Sequence, residues 1–273
     1  MHKVSRLLPY IQTSKLQLYY ECVGTGDPLL FISGTGADLR NKPNFLDGPA
    51  PKIFETLAYD QRGLGQSDKP GVAYSMADYA DDAAALLDAM GWDHAHIIGV
   101  SFGGMVAQEL ALRHGNRINR LVLACTSPGG RGGASYPLHD VQDMDLETRV
   151  RHMIPISDTR NNAAWASANA ETYEAMVAFA STDAFKGETG RAEGAMRQLE
   201  ARKHHDTWNR LPNIACPTLI CGGKFDGIAR PETQKKMAAR IPNAKRAMFE
   251  GGHLFMLQDR TAIQTMIAFL QEN

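Results

Sequence analysis

The sequence predicts an α/β fold, with a mostly parallel sheet, helices on both of its faces and an inserted helical cap. Apolar runs of strand length alternate with segments of helical periodicity up to residue 125, and the alternation resumes at residue 217. Between these parts, helical periodicity appears without a convincing strand. We therefore expect a core domain formed by residues 1–127 and 212–273, and a cap formed by residues 128–211.

The first elements predict a hairpin followed by two buried strands. Residues 10–12 and 16–22 alternate in polarity around a three-residue turn, as in a hairpin with one covered face. Residues 29–32 are wholly apolar and lead into Ser33-Gly34-Thr35-Gly36. Residues 54–59 form the next strand and run into the glycine-rich loop 60–67. We expect Asp60 and Arg62 to tie this turn together.

The later core elements have clear boundaries. Ser75 and Asp78 form a capping box at the start of a helix that Gly91 ends. Residues 120–125 form a strand before the cap. Beyond the cap we expect a strand at 217–223, a helix at 231–239, a strand at 245–249 and a closing helix at 261–270.

A serine between two glycines follows the apolar strand 94–100. Gly99 and Gly103 would let the strand end approach the first turn of a helix, and they would place Ser101 at the positive end of its dipole. The short motif alone also fits an ordinary helix start. Because a strand precedes it and a helix to Gly115 follows it, the context favours a nucleophile elbow.

A serine nucleophile needs a general base and an orienting carboxylate. His253 lies on a late loop, where Gly252 would leave it free to swing to the sheet. Asp226 follows the strand 217–223, although an aspartate there also fits a turn or helix cap. The order Ser101, Asp226, His253 is that expected for such a fold. Other histidines fall in or beside a strand, at a helix end or on a solvated helical surface: His94, His96, His114, His204 and His205.

The stretches 33–36, 60–67, 99–104, Asp226 and Gly252-His253 together resemble the α/β-hydrolase family, in particular capped serine hydrolases of the enol-lactonase and carboxylesterase type. The resemblance implies Ser101 as nucleophile, His253 as base and Asp226 as orienting acid. It also implies an oxyanion hole formed by the backbone N–H groups of Thr35 and Phe102, with no metal and no cofactor. Ser33 stands where the family usually has histidine, so the packing beneath that loop should differ.

The reaction expected from this resemblance is hydrolysis of a small ester, lactone or activated carbonyl through an acyl-enzyme on Ser101. Two alternatives remain, a carbon–carbon bond hydrolase of ring-cleavage products and a ligand sensor with a vestigial site, since fold alone does not separate them. A cofactorless haloperoxidase side-activity would use the same residues.

The cap is long enough to roof a pocket. We expect an apolar pocket between cap and Ser101, lined by Trp165, Met176, Phe179 and Leu254. Glycines 129, 130, 132 and 133 would form a loose connection that lets the cap shift.

Composition limits the partners and the location. The 273 residues carry a net charge of -1 without a basic run, which favours a small-molecule substrate over nucleic acid. No apolar stretch is long enough to span a membrane, and no signal peptide is recognised. Four scattered cysteines predict neither a disulfide framework nor a zinc site. We expect a cytoplasmic protein with no membrane partner, and a homodimer remains open.

Overall fold

A computed structural model describes residues 9–13 and 16–272. Its sheet has eight strands in the order β1-β2-β4-β3-β5-β6-β7-β8. Their bounds are β1 Tyr10–Gln12, β2 Gln17–Val23, β3 Pro28–Ile32, β4 Glu55–Tyr59, β5 Ala95–Val100, β6 Ile118–Ala124, β7 Thr218–Gly223 and β8 Ala244–Phe249. The pairs β1/β2 and β2/β4 are antiparallel and all the others are parallel. The predicted hairpin is present, and residues 14 and 15 of its turn lie outside the described part.

The helices are α1 Met76–Ala89, α2 Phe102–Arg113, α3 Leu146–Ser157, α4 Ala163–Ala168, α5 Ala170–Ala180, α6 Arg191–Lys203, α7 Pro231–Ala238, α8 Phe255–Gln258 and α9 Thr261–Leu270. The capping box at Ser75 is formed in both directions. None of these helices combines the length and apolar character that a membrane span requires.

Two apolar cores cover the faces of the sheet. One contains side chains of α1, α2 and α7, including Tyr79, Leu110 and Met237. The other contains side chains of α9, including Met266 and Phe269. The sequence therefore folds as the predicted α/β class, because its apolar strands are covered on both sides.

The strand order reverses beside β3, which lies between β4 and β5. The loops that follow β3 and β5 consequently face each other at the carboxyl edge of the sheet. This is the place where open α/β sheets bind ligands.

Helices α3 to α6 lie between β6 and β7, within residues 128–211, where the sequence predicts the cap; we call residues 128–211 the insertion. The glycines that begin the insertion are tightly held. Gly129 forms β-bridges with Gly133 and Asp206, and the Thr207 N–H donates to the Pro128 carbonyl at 2.8 Å. The expectation of a loose connection is therefore wrong at this point, because the two ends of the insertion bind each other.

Candidate active site

Ser101 occupies a strained turn between β5 and α2. Its φ of 55° lies in the left-handed region that residues other than glycine rarely adopt. The glycines on either side make this turn sterically accessible. A Cβ at Gly99 would collide with the Gly103 carbonyl, and one at Gly103 would collide with the Ile32 carbonyl. The serine side chain is thereby placed at the N-terminus of α2, as expected.

The described structure brings Ser101, His253 and Asp226 into one chain of hydrogen bonds. His253 Nε2 lies 3.0 Å from Ser101 Oγ, and His253 Nδ1 lies 2.9 Å from Asp226 Oδ2. Asp226 Oδ1 also accepts from the backbone N–H groups of Ile228 and Ala229, at 2.8 and 2.9 Å. Asp226 thus both stabilises its own turn and orients the imidazole, the two roles that the sequence allows for it.

The other histidines considered from sequence lie elsewhere. His94 contacts the Asn116 carbonyl, His114 pairs with Asp81, and His204 pairs with Glu200 at the surface. His96 is buried in β5, and burial lowers its pKa. The sequence predicts a solvated position for His205, and this is wrong: the side chain is buried beneath the ends of the insertion, with Nε2 3.2 Å from the Ser127 carbonyl.

The loop after β3 lies against Ser101. A Cβ at Gly34 would come within 3.6 Å of the Ser101 Cβ, so this loop approaches the serine closely. Within the described residues, no hydrogen bond uses the backbone N–H of Thr35 or Phe102. Both amides are therefore free to donate to a bound oxygen. The loop is supported from below by Gln61 Nε2, which donates to the Ser33 carbonyl at 2.8 Å.

The loop 60–67 stabilises its own turn and the neighbouring helix. Asp60 accepts from the N–H groups of Leu39 and Gln66 at 2.8 Å each, and burial raises its pKa to about 6. Arg62 instead forms a buried pair with Asp82 of α1 at 2.6 Å. Asp60 therefore ties the turn together as expected, whereas Arg62 links the loop to α1.

Two cavities flank the Ser101 region. One, of about 370 Å³, has His253 and Leu254 in its wall and is otherwise mostly apolar: Phe31, Pro43, Asn44, Phe45, Asp47, Gly48, Val100, Met256, Leu257 and Ile263. The other, of about 330 Å³, lies between the loop after β3 and the insertion, and its walls are Thr35, Gly36, Leu138, Val141, Arg149, Val150, Met153, Ala195, Gln198 and Leu199.

Three of the four predicted pocket residues lie away from these two cavities. Trp165 and Met176 are half-buried in α4 and α5, and Phe179 is 86% exposed. Helix α5 packs on α3 and α4, so it forms an outer layer of the insertion. Leu254 does line the first cavity. The inner layer comes from α3 and α6, and its apolar residues in the second cavity include Met153 and Leu199.

The order of strands and the position of Ser101 beyond a central strand define an α/β hydrolase. The family model for the alpha/beta hydrolase fold matches residues 27–259, and the chain belongs to this family. Such membership supports hydrolase activity.

Known proteins similar to the chain include several hydrolases. A poly(3-hydroxyalkanoate) depolymerase from Ectopseudomonas oleovorans is 29% identical over 248 residues, covering 90% of this chain and 84% of that protein. A hydrolase from Pseudomonas aeruginosa PA01 has a TM-score of 0.78 and 27% identity, with 98% of this chain and 100% of that chain covered. The enol-lactonase from Burkholderia xenovorans LB400 shares the fold, with a TM-score of 0.78 at 24% identity over 97% of this chain and 100% of that chain.

Proposed function

We propose that the chain is a serine hydrolase that cleaves an ester, lactone or related activated carbonyl of a small molecule. The observation that carries this proposal is the hydrogen-bond chain from Ser101 Oγ through His253 to Asp226. Similarity to a poly(3-hydroxyalkanoate) depolymerase is consistent with an ester substrate.

In the proposed reaction, His253 Nε2 takes the Ser101 hydroxyl proton while Oγ attacks the carbonyl carbon. Asp226 fixes the Nδ1–H tautomer and stabilises the imidazolium that forms. The proton then passes from Nε2 to the leaving oxygen, which departs and leaves an acyl group on Ser101. Water repeats these steps with His253 as base, and it releases the acid and the free serine.

The carbonyl oxygen would become negatively charged when Oγ attacks. We propose that the N–H groups of Thr35 and Phe102 bind this oxygen. Neither N–H donates a hydrogen bond within the described residues, and both flank Ser101. Such a donor is worth on the order of 3 kcal/mol in the transition state. The positive end of α2 adds to this field.

The insertion, residues 128–211, is proposed as the cap of this site. His253 must reach the leaving oxygen, so a leaving group fits the apolar cavity in whose wall His253 lies. The acyl part then fits the second cavity, between Thr35 and helices α3 and α6. Cavities of about 370 and 330 Å³ are of the size that holds small molecules.

Ester turnover by Ser101→Ala tests this proposal. We expect the wild type to hydrolyse p-nitrophenyl acetate over many cycles, and the variant to lose on the order of 10³-fold in kcat or more. Ser167→Ala, at an exposed serine of α4, is the matched control and should keep full activity.

Two results would contradict the proposal. Substantial activity in pure Ser101→Ala protein would remove the serine from the mechanism. One equivalent of nitrophenol without steady-state turnover would instead favour the ligand-sensor alternative.

A further inference from the structure

The carboxyl end of α3 contacts the two loops that carry Asp226 and His253. The last carbonyls of a helix have no partner within it and need donors from elsewhere. Here the Ile156 carbonyl accepts from the Gly227 N–H at 3.0 Å, and the Ser157 carbonyl accepts from the His253 N–H at 2.6 Å. The backbone of both loops thus caps this helix of the insertion.

A side-chain relay runs beside these backbone contacts. Asp158, which follows α3 and is only 4% exposed, accepts from Gln258 Nε2 at 3.0 Å. The Oε1 atom of the same glutamine accepts from the Gly252 N–H at 2.8 Å. The Gly252 N–H can only donate and the Asp158 carboxylate can only accept, so the orientation of the Gln258 amide is fixed. Asp158 is itself held by Arg160.

The glycines next to Asp226 and His253 permit this approach. A Cβ at Gly227 would press on the Ile156 carbonyl, and one at Gly252 would collide with the Ser157 carbonyl. The sequence predicts that Gly252 leaves His253 free to swing. In the structure this glycine does the opposite, because it lets the insertion pack directly on the loop.

We propose that Asp158 and Gln258 are positioning residues for hydrolysis. Through Gly252 they hold His253 at hydrogen-bonding distance from Ser101 and Asp226. The reaction therefore depends on the position of α3 relative to the loop that carries His253. The inference rests on the proposed function, in which His253 is the base. Neither residue touches substrate in this role.

The test is Gln258→Leu, which removes both hydrogen bonds of the relay. Misplacement of a catalytic group by about 1 Å costs on the order of 10²-fold. We expect kcat for p-nitrophenyl acetate to fall about 10- to 100-fold with KM changed less than about threefold, because the site that binds substrate stays intact. Gln264→Leu, at an exposed glutamine of α9, is the matched control and should behave as wild type.

A rescue experiment separates positioning from general damage. Gln258→Glu alone places a second carboxylate beside Asp158 and should be as impaired as Gln258→Leu. Combining it with Asp158→Asn lets the asparagine amide donate to the new carboxylate, which still accepts from the Gly252 N–H. Because this exchange gives up part of the pairing with Arg160, we expect kcat to rise well above that of Gln258→Glu without reaching the wild-type value. Circular dichroism checks that each variant is folded.

Proton NMR gives a readout that needs no substrate. The Nδ1–H of His253, bonded to Asp226, should give a far-downfield resonance in the wild type that broadens or disappears in Gln258→Leu and returns in the double variant. If the wild type shows the resonance but turns over no ester, the proposed function fails. The effect of Gln258→Leu on the resonance then still tests whether the relay holds His253 against Asp226. Wild-type kcat with an unchanged resonance in Gln258→Leu would overturn the inference.

Discussion

Arg149 of α3 is a cation in the wall of the cavity beside Thr35. Within the described residues its guanidinium forms no ion pair, and its hydrogen bond to the Gln142 carbonyl is long at 3.4 Å. A half-buried cation without a carboxylate partner favours a substrate that supplies one. We expect mono-p-nitrophenyl glutarate to be hydrolysed with a higher kcat/KM than p-nitrophenyl pentanoate, a neutral ester of similar size.

Arg149→Met should lower kcat/KM for the glutarate ester at least about 10-fold and leave the pentanoate ester within about twofold, since a charge-assisted contact is worth about 1.5–3 kcal/mol. Arg151→Met, on the same helix but paired with Glu147 and Glu174 at the surface, is the control. Equal rates for the two esters in the wild type would count against this role of Arg149.

At the residue scale, the sequence predicts those functional residues whose signals lie in neighbouring residues. Ser101 lies in a motif whose glycines and flanking elements adjoin it, and chain order indicates His253 and Asp226. Gln198 has no such signal. Its Oε1 accepts from the Gly36 N–H at 2.9 Å, across 162 positions of the chain, so its contact depends on how the insertion folds back. The same limitation applies to the relay of Asp158 and Gln258.

The paired ends of the insertion form an element with its own pH dependence. His205 lies there with Nδ1 unpartnered in the described structure, and burial lowers its pKa to about 4. Glu109, Asp206 and Arg210 are the charged groups that influence it. An unfolded histidine titrates near 6.5, so between about pH 6.5 and 4 the unfolded chain binds more protons. Stability from this group is therefore complete above pH 6.5 and is lost as the pH falls, by about 3 kcal/mol.

Urea unfolding of the wild type and His205→Gln between pH 4 and 7.5 measures this effect. Asp60, with its raised pKa, acts in the opposite sense over part of the range, so the difference between the two proteins is the informative quantity. We expect the free energy of unfolding of the wild type to fall more steeply with acid. Parallel pH profiles would mean that the pKa of His205 is the same in the folded and unfolded protein, which would contradict this prediction.

At the scale of elements, the strands and core helices could be predicted because periodicity and caps are local. The closing helix occurs at the predicted residues, Thr261–Leu270, and β7 begins one residue later than expected. The layering inside the insertion could not be predicted. Its aromatic residues identify helices that need a partner, but whether α5 or α3 faces the site depends on how the helices pack on the core.

At the scale of the whole molecule, a charge network joins the insertion to the loop after β3. Asp38, whose side chain is fully buried, pairs with Arg40 at 2.7 Å and with Arg191 of α6 at 3.1 Å. Arg40 also pairs with Glu188. Because Asp38 is two residues beyond Gly36, this network and the contact from Gln198 hold the same loop. The insertion is thus tied to the loop that carries Thr35, as well as to those of Asp226 and His253.

Asp38→Asn should therefore loosen the insertion selectively. We expect a loss of about 1–3 kcal/mol in the free energy of unfolding, as for a hydrogen-bonded charge, together with faster amide exchange across residues 183–203 than across β5 and β6. Turnover of p-nitrophenyl acetate should fall as well, because the Thr35 amide would be less firmly placed. Asp88→Asn removes an exposed partner of Arg117, and a surface pair of that kind should change stability by less than about 1 kcal/mol. If exchange rises equally throughout the sheet, the network stabilises the fold as a whole and does not control the seating of the insertion.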